Sequence, residues 1–182
     1  IAYLQAPGPE AARLRNFLFL YYLGANIKSA TLNLTQPITT GIPVLMQYGE
    51  AAPQRIMVAA KDVVANIKFK DGVPYFDHDA LGSDLAAALR EAEADSTVNE
   101  QLVYEIMAKS RGEVMANERL RIARAMAYMF GTAEVFNRRT MFIAAYRMGK
   151  ELEAAGKLPV KFKGAQDFAE TVTKDSQYGS TP

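Results

Sequence analysis

Apolar positions in this chain recur at helical spacing far more often than in alternation. Over residues 53–69, Ile56, Ala60, Val63, Val64 and Ile67 follow the i, i+4, i+7, i+8 rhythm of one buried helix face. Asp71-Gly72 breaks that pattern, and 73–78 reads as irregular. Asp79 or Ser83 is the expected cap of the next helix, in which Leu81, Leu85, Ala88 and Leu89 form a stripe. Asp95-Ser96-Thr97 reads as a turn, and a helix over 98–110 presents Leu102, Val103, Ile106 and Met107 before Gly112 interrupts. The longest pattern covers 113–155, where Ile122, Met126, Met129, Ala133 and Phe136 make a packing seam. Gly131 is a candidate kink or split within it, and Gly156 with Pro159 just beyond is a helix stop. Residues 160–163 read as a short extended piece, and a last helix over 165–177 turns Phe168 and Val172 inward.

The N-terminal third is different. Pro9-Glu10 suits a first helical turn, and a helix over 9–23 carries the run from Phe17 to Leu23, apolar on all sides, up to Gly24. Residues 16–49 hold a single charge, Lys28. A membrane-spanning helix needs roughly 20 predominantly apolar residues, and this stretch is too rich in Thr, Asn, Gln, Pro and Gly to supply them. It reads instead as short helices over 26–34 and 37–48, with Thr35 or Gln36 as the cap before Pro37. Alternation is confined to 73–76 and 160–163. The expected fold is therefore all-α: a multi-helix domain with one long helix over about 113–155, short broken helices in the N-terminal third, and at most one hairpin.

Composition narrows the class without naming a function. At 182 residues and 49% apolar, the chain can bury a core, which argues against wholesale disorder. A formal net charge of +1 gives no global attraction to nucleic acid or membrane. The absence of cysteine removes disulfides and thiolate metal sites, and a single histidine, His78, rules out a multi-histidine metal site within these residues. The start at Ile1 and the end at Ser180-Thr181-Pro182 read as those of a segment of a larger polypeptide. Residues 1–182 are then one helical segment, with 1–70 and 71–182 as candidate sub-lobes. Ile1 to Ala11 lacks the basic and apolar regions of a secretory signal.

Catalytic motifs do not appear. Gly149-Lys150 is followed by Glu151 inside a helical pattern, so it is not a phosphate-binding loop, and no dinucleotide, zinc-protease or nucleophile-elbow signature occurs. A Ser-His-Asp triad would depend on His78, in a loop of acids, and that residue reads as a surface or capping side chain. Asp71, Asp77, Asp79 and Asp84 lack the calcium-loop order and read as caps and turns. No catalytic residue, cofactor or metal is expected, and the chain does not read as an enzyme.

Charge is segregated. Residues 71–108 hold nine acids and one base, whereas 109–150 hold nine bases and three acids. Attraction between the two neighbouring helical segments is one reading. A charge-matched contact between copies of an oligomer is a second, and a basic surface meeting DNA or RNA phosphates is a third. Arg138, Arg139 and Arg147 are the candidate oligomer or nucleic-acid contacts. Phe17, Phe19, Tyr21 and Tyr22 read as core, or else as a surface for membrane or a large helical partner.

Several segments in fixed order carry a resemblance. They are residues 19–30 (FLYYLGANIKSA), 32–37 (LNLTQP), 133–139 (AEVFNRR), 142–147 (FIAAYR), 165–169 (AQDFA) and 176–178 (SQY). The set resembles a helical domain of very large bacteriophage polypeptides, the large polyvalent and internal virion proteins of tailed phages, over about 16–178. The resemblance implies a structural assembly module packaged in the capsid and ejected with the genome, contributing to a conduit through the host envelope. It implies a homo-oligomer ringed around the portal or tail axis, contact with other virion proteins and with phage DNA, and a host membrane met after ejection. The alternative is a non-catalytic, nucleic-acid-contacting helical domain of a phage-encoded virion enzyme, a polymerase or an envelope hydrolase.

Overall fold

The computed structural model describes residues 34–71, 73–95, 97–98 and 118–177, with the side chains of 73, 74 and 118–130 set aside. The predicted helices over 9–23, 26–34 (but for Leu34) and 98–110 (but for Val98), the Phe17 to Leu23 run and Gly112 lie outside the described residues, as do the side chains of Ile122, Met126 and Met129. What is described is mostly helical, with one small sheet.

A turn of π-helix, Pro37–Gly41, runs into a short helix α1, Ile42–Met46. Gln36 precedes it without a side-chain capping bond and is buried. The Thr40 hydroxyl lies 2.6 Å from the Ser176 carbonyl oxygen and 2.9 Å from that of Gln36, which ties this polar stretch to the far end of the chain. Helix α2, Ala52–Ala65, begins with a proline in its first turn and buries Ala52, Ile56, Ala59 and Val63.

The predicted helix over 53–69 stops four residues early. Asn66 caps it, and Ile67–Lys70 is strand β1, antiparallel to β2, Val73–Phe76. Ile67 continues the helical spacing of Val63, but Ile67-Lys68-Phe69-Lys70 also alternates, and the second strand is the only partner that can settle the choice. Asp71 takes a positive φ of 53°, a conformation aspartate tolerates, to reverse the chain. Among the described residues the fold is thus mostly helical, with the one hairpin that the sequence left room for.

A 3₁₀ turn, Asp79–Leu81, leads to helix α3, Ser83–Ala94, which buries Leu85, Ala86, Ala88, Leu89 and Ala92. Neither Asp79 nor Ser83 caps it. The N-cap is Gly82 at φ 89°, and Asp79 instead accepts a 2.5 Å bond from Arg90. The predicted turn at 95–97 forms around the Asp95 carboxylate, which accepts the Thr97 backbone N–H at 2.9 Å.

Helix α4, Glu118–Ala154, has 37 residues and is about 55 Å long. It passes through Gly131 without interruption. Met141, Phe142, Ile143, Ala144 and Ala145 are all fully buried, so this turn is enclosed on every side. Gly156, at φ 64°, ends the helix with Lys157 N–H bonded to Leu152 O at 2.8 Å. Residues 160–163 are a turn, not an extended piece: Phe162 N–H returns to Pro159 O at 2.9 Å. Helix α5, Ala165–Asp175, buries Ala165, Phe168, Ala169, Val172 and Thr173 against α4. One apolar core joins α1, α2, α3, α4 and α5.

Candidate functional site

Two charged seams fasten the outer helices to α4. On α2, Arg55 and Asp62 stand seven residues apart, and on α4, Arg147 and Glu151 stand four apart, so each pair shares one flank of its helix. The helices run antiparallel, and each cation therefore meets an anion. Arg55 makes a two-pronged bond to Glu151, one prong at 2.6 Å, and Arg147 donates to Asp62 at 2.6 Å. The spacing of these four residues was readable from the sequence, but only once the two helices are known to be antiparallel neighbours.

The second seam joins α3, the hairpin and α4. Glu93 of α3 accepts from Arg139 Nε at 2.9 Å and lies 2.9 Å from His78 Nε2. The Arg139 guanidinium sits 4.6 Å from the centroid of the Phe76 ring, and His78 meets that ring edge-on at 5.1 Å. His78 thus stands at the N-cap position of the 3₁₀ turn, as a capping residue by its backbone, while its partly buried side chain makes no capping bond and links the hairpin to α3 instead. One residue earlier on α4, Arg138 bonds Glu134 at 2.6 Å and the Thr97 carbonyl at 3.1 Å. Arg138, Arg139 and Arg147 all hold partners within the chain, and all three join α4 to other parts of it. Phe17, Phe19, Tyr21 and Tyr22 lie outside the described residues.

Between α2, the amino end of α3 and α4 runs an open groove of about 770 Å³, with Val58, Leu85 and Tyr146 beside Arg55, Arg147 and Lys150. The two arginines in its wall are neutralised by Glu151 and Asp62, which leaves little unbalanced charge for a ligand. The acids singled out by the sequence do not converge: among the described residues no three His, Cys, Asp or Glu side chains gather to hold a metal ion. Nor, among them, is any helix long and apolar enough to cross a membrane.

The hydrogen bonds from Arg55 hold the Glu151 carboxyl below the usual carboxylate range, against a smaller opposing effect of desolvation, and Glu151 in turn raises the Arg55 guanidinium. The fold prefers ionised Glu151. Its contribution is present above the ordinary glutamate pKa and is lost as pH falls through the lowered one. Glu151 is largely exposed, so salt screens the effect and the stability involved is small. An NMR titration of the Glu151 carboxyl is expected to give a midpoint below that of an ordinary glutamate, returning to the ordinary range in Arg55→Gln. Equal midpoints in the two proteins would contradict the assignment.

Several large apolar side chains are exposed as well. At 100° per residue, Met57 and Val64 fall on the flank of α2 opposite to Arg55 and Asp62, and they are 62% and 61% exposed. The hairpin stands clear of the body beyond Phe76. Strand β1 is exposed along its whole length, Phe69 is 72% exposed and Tyr75 49%. No protein-family model, no curated protein sequence and no solved structure matches this chain.

Proposed function

We propose that this chain is a structural assembly module, not an enzyme, and that it belongs to an internal virion or ejection protein of a tailed bacteriophage. In that role it is packaged in the capsid and helps build a conduit for the genome through the host envelope. The ordered segments between 19 and 178 motivate the phage assignment. The observation that carries the assembly role is the exposed flank of α2, where Met57 and Val64 stand two turns apart with the exposed Lys61 between them. On the opposite flank Arg55 and Asp62 hold α2 to α4, so they steady the helix while the flank with Met57 and Val64 faces outward. Such a flank is suited to contact between copies in a ring, where burying each of these side chains contributes about 1.5–3 kcal/mol.

The test is the mass of the purified chain in solution, by light scattering with negative-stain imaging, with and without liposomes. Rings or higher oligomers are expected. The double variant Met57→Glu, Val64→Glu is expected to fall apart to monomers while keeping its far-UV circular dichroism. A chain that stays monomeric at every concentration and ignores lipid would sink the reading.

A further inference from the structure

The hairpin carries a second surface, independent of the assembly reading, since a monomer can use it and a ring can do without it. Strand partners in the register are Lys68 with Tyr75 and Lys70 with Val73. Side chains opposite each other share a face of a two-stranded ribbon, and so do residues two apart on one strand. Lys68, Lys70 and Tyr75 therefore lie on one face, with the lysines about 7 Å apart. The two strands contain these two lysines and no acid. Lys68, Lys70 and Tyr75 are exposed, and Phe69 is exposed between the lysines on the opposite face. The base of the ribbon is fixed, because Phe76 is buried beneath Arg139 and Asp77 N–H bonds Asn66 O at 2.8 Å.

A strand exposed on both faces gains little from the body it grows from, and two strands alone are marginal in water. Its aromatic and basic residues are not explained by the core. We infer that the β1–β2 ribbon is a contact for single-stranded nucleic acid, with Tyr75 as a stacking platform for a base and Lys68 and Lys70 meeting the flanking phosphates. Two lysines against the single Asp71 carboxylate at the tip leave the ribbon net positive, which favours a polyanion, and a ring exposed directly opposite Lys68 suits unstacked bases. A lipid surface fits less well. The end of the ribbon that would enter it first carries Lys70 and Asp71, and burying that carboxylate in hydrocarbon is unfavourable.

The test uses the whole 182-residue chain and a fluorescein-labelled oligothymidylate, with binding read by anisotropy across a salt series. A duplex of the same length and phosphatidylglycerol vesicles are run in parallel. The expected result is binding to the single strand that exceeds binding to duplex. Lys68→Gln with Lys70→Gln should weaken it about tenfold at low salt and reduce the salt slope by about 1.4. Tyr75→Ala should weaken it about tenfold with the slope unchanged. Lys157→Gln with Lys163→Gln, lysines far from the ribbon, should leave it unaltered. Circular dichroism and the urea midpoint of each variant confirm that it is folded. The inference is overturned if the parent chain does not bind the oligonucleotide, if the ribbon variants bind as it does, if duplex is preferred, or if vesicles are bound and the oligonucleotide is not.

Discussion

Phe168→Ala is expected to destabilise the chain by about 3–5 kcal/mol, the cost of emptying a fully buried aromatic site. Phe168 is completely buried on the inner face of α5, with Tyr48 edge-on at 4.8 Å and Phe162 at 5.0 Å. These three rings join α5 to the end of α1 and to the turn after α4. None can move into the space without leaving the others, so the cavity does not collapse. Urea denaturation followed by far-UV circular dichroism reads the loss directly, and in a thermal scan the midpoint should fall by roughly 10 °C. A loss under about 1 kcal/mol would mean that the site relaxes and that the aromatic trio is not what anchors α5.

The second large effect comes from adding atoms. A β-carbon on Gly149 would lie 3.0 Å from Ala165 Cα and 3.1 Å from its carbonyl oxygen, and 3.0 Å from the Phe168 ring. Two of those neighbours are backbone and cannot turn aside. Gly149→Val is expected to lift the start of α5 off α4 and to destabilise by about 3 kcal/mol, at the upper end of overpacking. Gly149→Ala is the informative comparison. It meets the same atoms with one carbon, but regains about 1 kcal/mol of helix propensity, so it should be far milder. Limited proteolysis within 157–163 should quicken in the valine variant and not in the alanine one. A valine variant as stable as the parent would show that the approach of the two helices is not tight.

The helices that could be read in advance are those whose apolar residues mark a single face. Of the stripe Leu81, Leu85, Ala88, Leu89, the last three are buried on α3 while Leu81 falls in the 3₁₀ turn before it and is half-buried, and the pair Phe168, Val172 is buried as its spacing requires. Gly156 and Pro159 end the long helix because a left-handed stop and a missing donor act within a few residues of chain. The hairpin was not legible in the same way. Ile67 fits both a helical stripe with Val63 and an alternating strand with Phe69, and the tie is broken by pairing with residues 73–76 across the reversal at Asp71. The extended reading of 160–163 failed for the converse reason, since no strand stands beside it and the turn closes on Pro159 instead.

The candidate site divides along the same line. Charge segregation between 71–108 and 109–150 is written in the sequence, and so are the arginines on α4. Which acid each arginine meets is not. Arg139 finds Glu93 from 46 residues away, and Arg147 finds Asp62 from 85. His78 sits among acids in the sequence, yet it is paired with Glu93, on a different helix, and held against Phe76.

By itself the sequence determined what local spacing and backbone chemistry can determine: a helix-rich chain, part of the stripes that face its core (Ile56 and Val63 are buried, but Val64 and Ile67 of the same predicted face are exposed), and where its long helix stops. Only the tertiary structure decided that 67–76 is a ribbon, that α4 is enclosed on all sides at 141–145, and which charges neutralise one another. Those outcomes depend on which segments become neighbours, and a contact energy exists only once the two partners are brought together in space.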